Sequence, residues 1–310
     1  MVSNHNTPTK WNIDESYENQ RIDYFLKKKI PSLSFPNICM LLRKGVVKLN
    51  NKKVKNNYLL KKGDSIKCNL SISLQKDSGL ILENHIKRST EELVIHKDRD
   101  YFIINKPPDL AVQGGTKIKK NLDSMLYALN DKFNVKPRLV HRLDKKTSGI
   151  LIIARNLDSA KFFGNLFKTR TIEKTYLAVV EGVIKKKSGI IDSPVHYNDK
   201  QYEAKTKYLL LKSLDNQSLL ISKPITGRKH QIRRHLAQIG HPIIGDNKYN
   251  ESLYNQKSSK KLFLHSFSID FEDKNNERKI FFAKPPEYFI EILNLLGFKN
   301  FKDIKKEINF

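Results

Sequence analysis

The chain has 310 residues, room for about two domains, and 39% of them are hydrophobic, which excludes a wholly disordered protein. Its only cysteines, Cys39 and Cys68, exclude a disulfide framework and a cysteine-rich zinc module. Lysine and arginine number 58 against 32 acids, a formal net charge of +26. Lysine and asparagine are both abundant, as an AT-rich genome would produce, but that bias does not require so large an excess over acids. A polyanionic partner, nucleic acid first, explains the imbalance better. No apolar run reaches the roughly 18 residues needed to span a membrane, and Met1–Asn12 carries no hydrophobic stretch. The expectation is a cytoplasmic protein with no membrane partner.

In chain order, residues 1–18 read as a polar tail. Ile22, Phe25, Leu26 and Ile30 recur at helical spacing, and Pro31 closes that helix. A second helix is expected over Phe35–Arg43, with Ser34 as its cap and Gly45 as its stop. Val46–Leu49 then reads as a strand turning at Asn50-Asn51, and Gly63-Asp64 turns into a strand at Ser65–Cys68. Residues 73–92 are polar and read as a connector, so domains are expected at 19–82 and 83–300, with a short tail at 301–310. Phe298–Phe310 is Lys-rich and amphipathic and reads as a terminal helix. In the second domain, strands are expected at Leu93–His96, Tyr101–Asn105, Gly149–Ala154, Tyr176–Val180, Tyr208–Leu211, Leu219–Ser222 and Phe263–Ile269. Helices are expected at Asp158–Lys168 and Arg228–Ile239. The fold class is α+β with a strand-dominated core.

The small first unit resembles the alpha-L-type RNA-binding domain of the kind found in the fourth small-subunit ribosomal protein. The resemblance rests on Arg21-Ile22-Asp23-Tyr24-Phe25-Leu26, on Lys44-Gly45-Val46-Val47-Lys48-Leu49-Asn50, and on Lys62-Gly63-Asp64-Ser65-Ile66. Arg43, Lys44 and Lys48 are then expected to hold phosphates.

Three segments of the second unit carry chemistry. In His141-Arg142-Leu143-Asp144-Lys145-Lys146-Thr147-Ser148-Gly149 a lone acid sits in a basic loop ahead of an apolar strand, a rigid mount for a reactive group. Glu173-Lys174-Thr175-Tyr176-Leu177 opens another strand. Thr226-Gly227-Arg228-Lys229-His230-Gln231-Ile232-Arg233-Arg234-His235-Leu236 reads as a helix with Thr226 as its cap, ended by Gly240 and Pro242. Ile232, Leu236 and Ile239 make an apolar stripe, and His230, Arg233 and Ala237 make the adjacent one, so Arg233 can face inward at a site beside the core.

Together these segments resemble the RluA-type pseudouridine synthase family, its RluC branch most closely. Lys106-Pro107-Pro108, Ala111-Val112-Gln113-Gly114-Gly115 and Gly240-His241-Pro242-Ile243-Ile244-Gly245-Asp246 also fit, so the resemblance runs from Arg21 to about Phe289. It implies a mixed, mainly antiparallel sheet around an RNA cleft and an isomerase acting on large-subunit ribosomal RNA. It implies Asp144 as the catalytic aspartate, Tyr176 as the ring against the target base, and Arg233 as the cation beside the aspartate, with Arg228 as rival. It implies Arg142 as the residue that displaces the target uridine. His141 and Arg228 are expected on the RNA. Gln113 stands where the family often has histidine and receives no role.

Isomerising uridine consumes nothing and changes no oxidation state, so neither cofactor nor metal is expected. His230 and His235 are five apart, off a common helix face and among cations, which argues against zinc. Gly114-Gly115-Thr116 lacks the Gly-Lys-Ser/Thr ending of a phosphate loop and reads as a turn, with Lys117, Lys119 and Lys120 beside it. A monomer is expected. Two other readings stand beside this one: a non-enzymatic RNA-binding or ribosome-assembly factor, and a synthase acting on transfer RNA.

Overall fold

In the computed structural model, residues 9–31, 33, 35–69, 88–114, 121–129, 137–197, 199–250, 261–298 and 301–308 are described. The chain separates into two units, Met1–His85 and Ile86–Phe310.

In the first unit, helix α1 (Ile22–Lys29) buries Ile22, Phe25 and Leu26, and helix α2 (Phe35–Lys44) packs Ile38 and Leu42 on the same core. Gly45, at φ +77°, ends α2. Strands β1 (Thr9–Asn12), β2 (Val47–Leu49) and β3 (Ser65–Cys68) form an antiparallel sheet in the order β1-β3-β2. Asn50 and Asn51 both adopt positive φ, as the tight turn after β2 demands. The polar-tail expectation is corrected here: Thr9–Asn12 is an edge strand, Trp11 packs against the core and Ile13 is buried. An edge strand with one covered face needs only alternate apolar residues, too few to give a periodic signal.

The second unit is built on a ten-stranded sheet. Its main path runs β4 (Val94–Lys97), β5 (Tyr101–Lys106), β7 (Ser148–Ala154), β14 (Leu264–Glu272), β8 (Glu173–Glu181), β13 (Gln217–Pro224), β12 (Lys205–Leu214), β9 (Ser188–Asp192). Strand β6 (Arg138–Leu139) pairs with β7, and β15 (Arg278–Phe282) with β14. Every pairing is antiparallel except β7 with β14, where Ser148 and Gly149 lie opposite His265 and Ser266. Gly149 is required there: its φ is +108°, and a Cβ would stand 2.1 Å from the Ser266 carbonyl oxygen. A separate ribbon, β10 (Val195–Tyr197) with β11 (Lys200–Tyr202), lies off the sheet.

β7 is buried along its whole length. Ile150 and Ile152 face a cluster with Phe163, Ile172 and Phe271, while Leu151 and Ile153 face Phe102, Leu126 and Leu143. A strand covered on both faces reads as an unbroken apolar run, which is what Ile150–Ala154 is. Besides a helical turn at 88–91, the helices of this unit include α3 (Leu122–Met125), α4 (Leu157–Thr169), α5 (Gln231–Gln238), α6 (Glu287–Leu295) and α7 (Phe301–Ile304).

Several expectations change. The helix expected over Arg228–Ile239 begins only at Gln231, because His230 is left-handed at φ +56°. Thr226 does not cap it; its hydroxyl donates to Gln231 Oε1 at 2.6 Å and accepts from Lys205 N at 3.0 Å. The expected stop holds: Gly240 is at φ +80°, with Gly240 N bonded to Ala237 O and His241 N to Leu236 O. The 301–310 tail is not free, since Ile304 is fully buried in the second unit's core. Strands β6, β9, β10, β11 and β15 were not anticipated: each has five residues or fewer, too short for a clear periodic pattern. Ser34, most of the expected 73–92 connector, Gly115, Thr116, Lys117, Lys119 and Lys120 lie outside the described residues.

Candidate active site

Asp144 lies in the β6–β7 loop, and that loop is anchored on several sides. Leu143 is buried in the core cluster under the sheet. Thr147 N donates to Asp144 O at 3.1 Å, making a turn. The fully buried Lys106 ends β5 and donates from Nζ to Pro107 O (2.8 Å), Leu110 O (2.9 Å) and Lys145 O (3.1 Å), tying the loop to β5. Burial lowers the Lys106 pKa to about 7, against the opposing fields of Asp109 and Asp144. At the loop's other end, His141 Nε2 accepts from Ile152 N at 2.8 Å and its ring stacks on Phe167, centroids 4.4 Å apart. Burial, with Lys174 adding to it, holds His141 neutral with a pKa of about 3. His141 therefore lines the cleft while serving the scaffold.

The Asp144 side chain is 21% exposed, so it is sheltered yet reachable. Arg233 Nη1 faces its Oδ2 at 3.5 Å, and His230 Nε2 faces its Oδ1 at 3.5 Å. Arg233 is itself held by Asp246, with Nε to Oδ2 and Nη2 to Oδ1 both at 2.7 Å. Burial works against the guanidinium charge, but the bonds to Asp246 and the field of Asp144 outweigh it, and the Arg233 pKa is raised. Arg228 does not compete for Asp144. Its Nε donates to Glu203 O at 3.0 Å and its guanidinium lies over the Tyr202 ring.

Tyr176 projects from β8, opposite Ser222 on β13 and Ser266 on β14. It packs against the same cluster as Leu143. Burial raises its pKa to about 12; a hydrogen bond with Ser266 pulls the other way, and the nearby Asp144 charge adds to the rise. The phenol thus keeps its proton at neutral pH.

These groups line one cleft of about 650 Å³. Val140, Leu143, Phe167, Tyr176, Ile225 and Ile232 supply apolar wall. Seven cations, Arg142, Lys168, Arg170, Lys174, Arg228, Lys229 and Arg233, surround a single carboxylate, Asp144, among the described lining residues. The arrangement suits a flat, polyanionic substrate. Arg142 is exposed at the wall. Asp144, Tyr176, Arg233, His141, Arg142 and Arg228 are thus brought together. Arg43, Lys44 and Lys48 belong to the first unit, where Arg43 lines a groove with Cys39, Lys53 and Asn56.

Asp246, Lys106 and Tyr249 have no role in the sequence reading, and His230 enters it only as a stripe neighbour of Arg233 and as a zinc ligand argued against. A lysine closing the apolar run Tyr101–Ile104 was a usable signal, because a buried ammonium must find acceptors. Nothing local marks Asp246 as the partner of Arg233. His235 is spent internally on Thr206 Oγ1 and Ser193 O. No group of three or more possible metal ligands occurs among the described residues.

A family profile described as RNA pseudouridylate synthase matches residues 100–238. The ribosomal large subunit pseudouridine synthase C of Rickettsia bellii is 39% identical over 291 residues, covering 87% of this chain and 95% of that protein. The protein of the same name from Vibrio parahaemolyticus is 31% identical over 294 residues, covering 90% of this chain and 93% of its own length. Among solved structures, human RNA Pseudouridylate Synthase Domain Containing 4 superposes with a TM-score of 0.60 at 25% identity, covering 70% of this chain and 98% of that one. On these matches, spanning nearly the whole length of the relatives, the chain belongs to the RluA-type RNA pseudouridine synthase family.

Proposed function

We propose that this enzyme converts specific uridines of large-subunit ribosomal RNA to pseudouridine, with Asp144 as the catalytic carboxylate. The observation that carries the reading is a carboxylate that is single among the described lining residues of the cleft, faced by Arg233 and set in a cationic wall with Tyr176. The relatives named ribosomal large subunit pseudouridine synthase C support the choice of RNA.

The base must leave its stack at a cost of a few kcal/mol, and phosphate contacts from the cationic wall offset that cost. Arg142, exposed at the wall, fills the space the uridine vacates. Tyr176 packs on the extruded base; such a stack contributes roughly 1–3 kcal/mol. The N1–C1′ bond then breaks, the base turns, and C5 bonds to C1′; C5 loses its proton and N1 gains one, so every atom is conserved. Asp144 serves either as nucleophile at C1′ or as the base that takes a proton from C2′ to give a glycal. Arg233 offers positive charge to the carboxylate in both routes. His141 and Arg228 border the RNA path, and the chemistry calls for no cofactor or metal.

In the first unit, two helices followed by a small antiparallel sheet support the alpha-L-type reading, with Arg43, Lys44 and Lys48 on RNA phosphates. The division of labour, with the first unit (Met1–His85) for RNA binding and the second (Ile86–Phe310) for catalysis, belongs to the same proposal, as does a monomer working in the cytoplasm. Among the described residues no helix is long and apolar enough to cross a membrane.

The test is pseudouridine mapping of cellular RNA with and without this protein, together with Asp144→Asn in vitro. The expected result is ribosomal sites lost with the protein, and a variant that binds RNA at least as well as the unchanged chain yet makes no pseudouridine. Sites lost from transfer RNA instead would reassign the substrate. An unchanged protein that binds ribosomal RNA but makes no product would favour a binding or assembly factor.

A further inference from the structure

His230 is set up as a directed group rather than a bystander. It sits at the left-handed residue just before α5, its ring half-buried between Asp144 and Tyr249. Nδ1 lies 2.8 Å from Tyr249 Oη, and Nε2 lies 3.5 Å from Asp144 Oδ1. Tyr249 Oη also accepts from Arg234 Nε at 3.0 Å. Guanidinium is a donor only, so that bond fixes the phenol oxygen as an acceptor on one side. On the other side, the acceptor-only carboxylate of Asp144 faces Nε2 and calls for its proton there, which leaves Nδ1 to accept the phenol's own proton. A neutral imidazole whose Nδ1 accepts must carry its proton on Nε2, the atom that faces Asp144.

The charge state follows from the surroundings. Burial is the main influence against imidazolium; the field of Asp144 opposes it, Arg233, Lys248 and Lys229 add to it, and the pKa falls to about 4. The Tyr249 ring is itself fixed, its centroid 5.1 Å from the Arg233 guanidinium carbon and 5.2 Å from that of Arg234.

We infer that His230 is a positioning residue for the isomerisation: Arg234 and Tyr249 lock it in the Nε2–H tautomer, and that N–H orients Oδ1 of Asp144 while Arg233 orients Oδ2. The two carboxylate oxygens are thereby made unlike, one facing a neutral donor and one a cation, and rotation of the carboxylate about its Cβ–Cγ bond is restrained. The 3.5 Å separations close to hydrogen-bond length once substrate fills the cleft, as contacts of this kind commonly do. This inference rests on Asp144 being the catalytic carboxylate.

The test measures single-turnover rate and RNA affinity for the full chain and for Asp144→Asn, His230→Ala, His230→Gln and Tyr249→Phe, with thermal unfolding of each. Glutamine places an amide N–H near the position of Nε2. The expected result is a rate loss of about ten- to a hundredfold for His230→Ala, the scale set by a misplaced catalytic group, with RNA affinity and unfolding temperature near those of the native chain. His230→Gln is expected to recover most of that rate. In ¹⁵N imidazole spectra, with His230→Gln identifying the signal, the native chain should give the Nε2–H pattern and Tyr249→Phe a tautomer mixture. A native rate in His230→Ala, a His230→Gln no better than His230→Ala, or an Nδ1–H pattern in the native chain would each overturn the inference while leaving Asp144 in place. If Asp144→Asn itself retained the native rate, the functional reading beneath it would fail first.

Discussion

Arg233 gives two of its nitrogens to Asp246 and turns the third, Nη1, toward Asp144. The fully buried Asp246 is therefore what aims the guanidinium. Asp246→Asn would break a buried, doubly bonded ion pair and leave Arg233 with only the more distant Asp144, at 3.5 Å, as counter-charge; breaking a buried pair typically costs about 3–5 kcal/mol. The expected outcome is a lower unfolding temperature and a single-turnover rate reduced at least about tenfold, with a smaller effect on RNA affinity. Unchanged unfolding and rate would show that Arg233 holds its place without Asp246.

Lys106 is the second fixture. Replacing it with methionine strips Pro107, Leu110 and Lys145 of a shared donor while filling similar space. Each buried carbonyl left unpaired costs on the order of 1–3 kcal/mol, partly offset because a charge no longer has to be buried. Lys106→Met is expected to reduce the rate more than RNA affinity, since the loop holding Asp144 loses its tie. The pH dependence has a definite sign. With the folded pKa lowered from 10.5 to about 7, the unfolded chain binds the extra proton in that window, so this contribution to stability rises with pH from about 7 to 10.5. Denaturant unfolding across that range should lose the slope in Lys106→Met.

Acid should destabilise the second unit through its buried imidazoles. His265 is fully buried; its ring nitrogens meet Ser148 Oγ at 2.9 Å and Ala283 O at 3.1 Å. Burial lowers its pKa from 6.5 to about 4, against the bond to Ala283. Between those values the unfolded state binds more protons, so the stability is present above about 6.5 and is lost as pH falls toward 4. The full span corresponds to about 3 kcal/mol. Urea unfolding at pH 5 and pH 7.5 should show the loss, and His265→Gln should shrink the difference between the two. An equal difference in both proteins would assign the acid sensitivity elsewhere.

For the first unit, the expectation is electrostatic. Replacing Arg43, Lys44 and Lys48 together with alanine should weaken RNA binding at low salt and reduce the slope of log affinity against log salt by about 2, if all three neutralise phosphates. The rate at saturating RNA should stay near native. An unchanged slope would remove these three side chains from the RNA interface.

Much of this was legible in the residues. The apolar run after His141-Arg142-Leu143-Asp144 fixed β7, because a strand buried on both faces has no polar alternation to hide it. That Asp144, Tyr176 and Arg233 share one cleft was legible because they sit in motifs of distinctive order. What escaped detection depends on contacts far apart in sequence. Asp246 meets Arg233 across the turn after α5, Lys106 meets Lys145 across two strands, and Tyr249 meets His230 from a segment with no periodic pattern. The start of α5 was misplaced because Thr226 offers a hydroxyl where a cap belongs, yet Gln231 claims it. The edge strand Thr9–Asn12 was missed because half its residues face water.

The short parallel pairing of β7 with β14 also sets an order of events during synthesis. Asp144 hangs from the β4-β5-β7 side of the sheet, while Tyr176 and the helix bearing Arg233 belong with β8, β13 and β12. All of these side chains, out to Tyr249, leave the ribosome before Leu264–Glu272, the strand that stitches the two sides into one sheet. A nascent chain stopped short of that strand would carry every reactive group and still lack a working centre, so chemical competence arrives only when the last stitch is made.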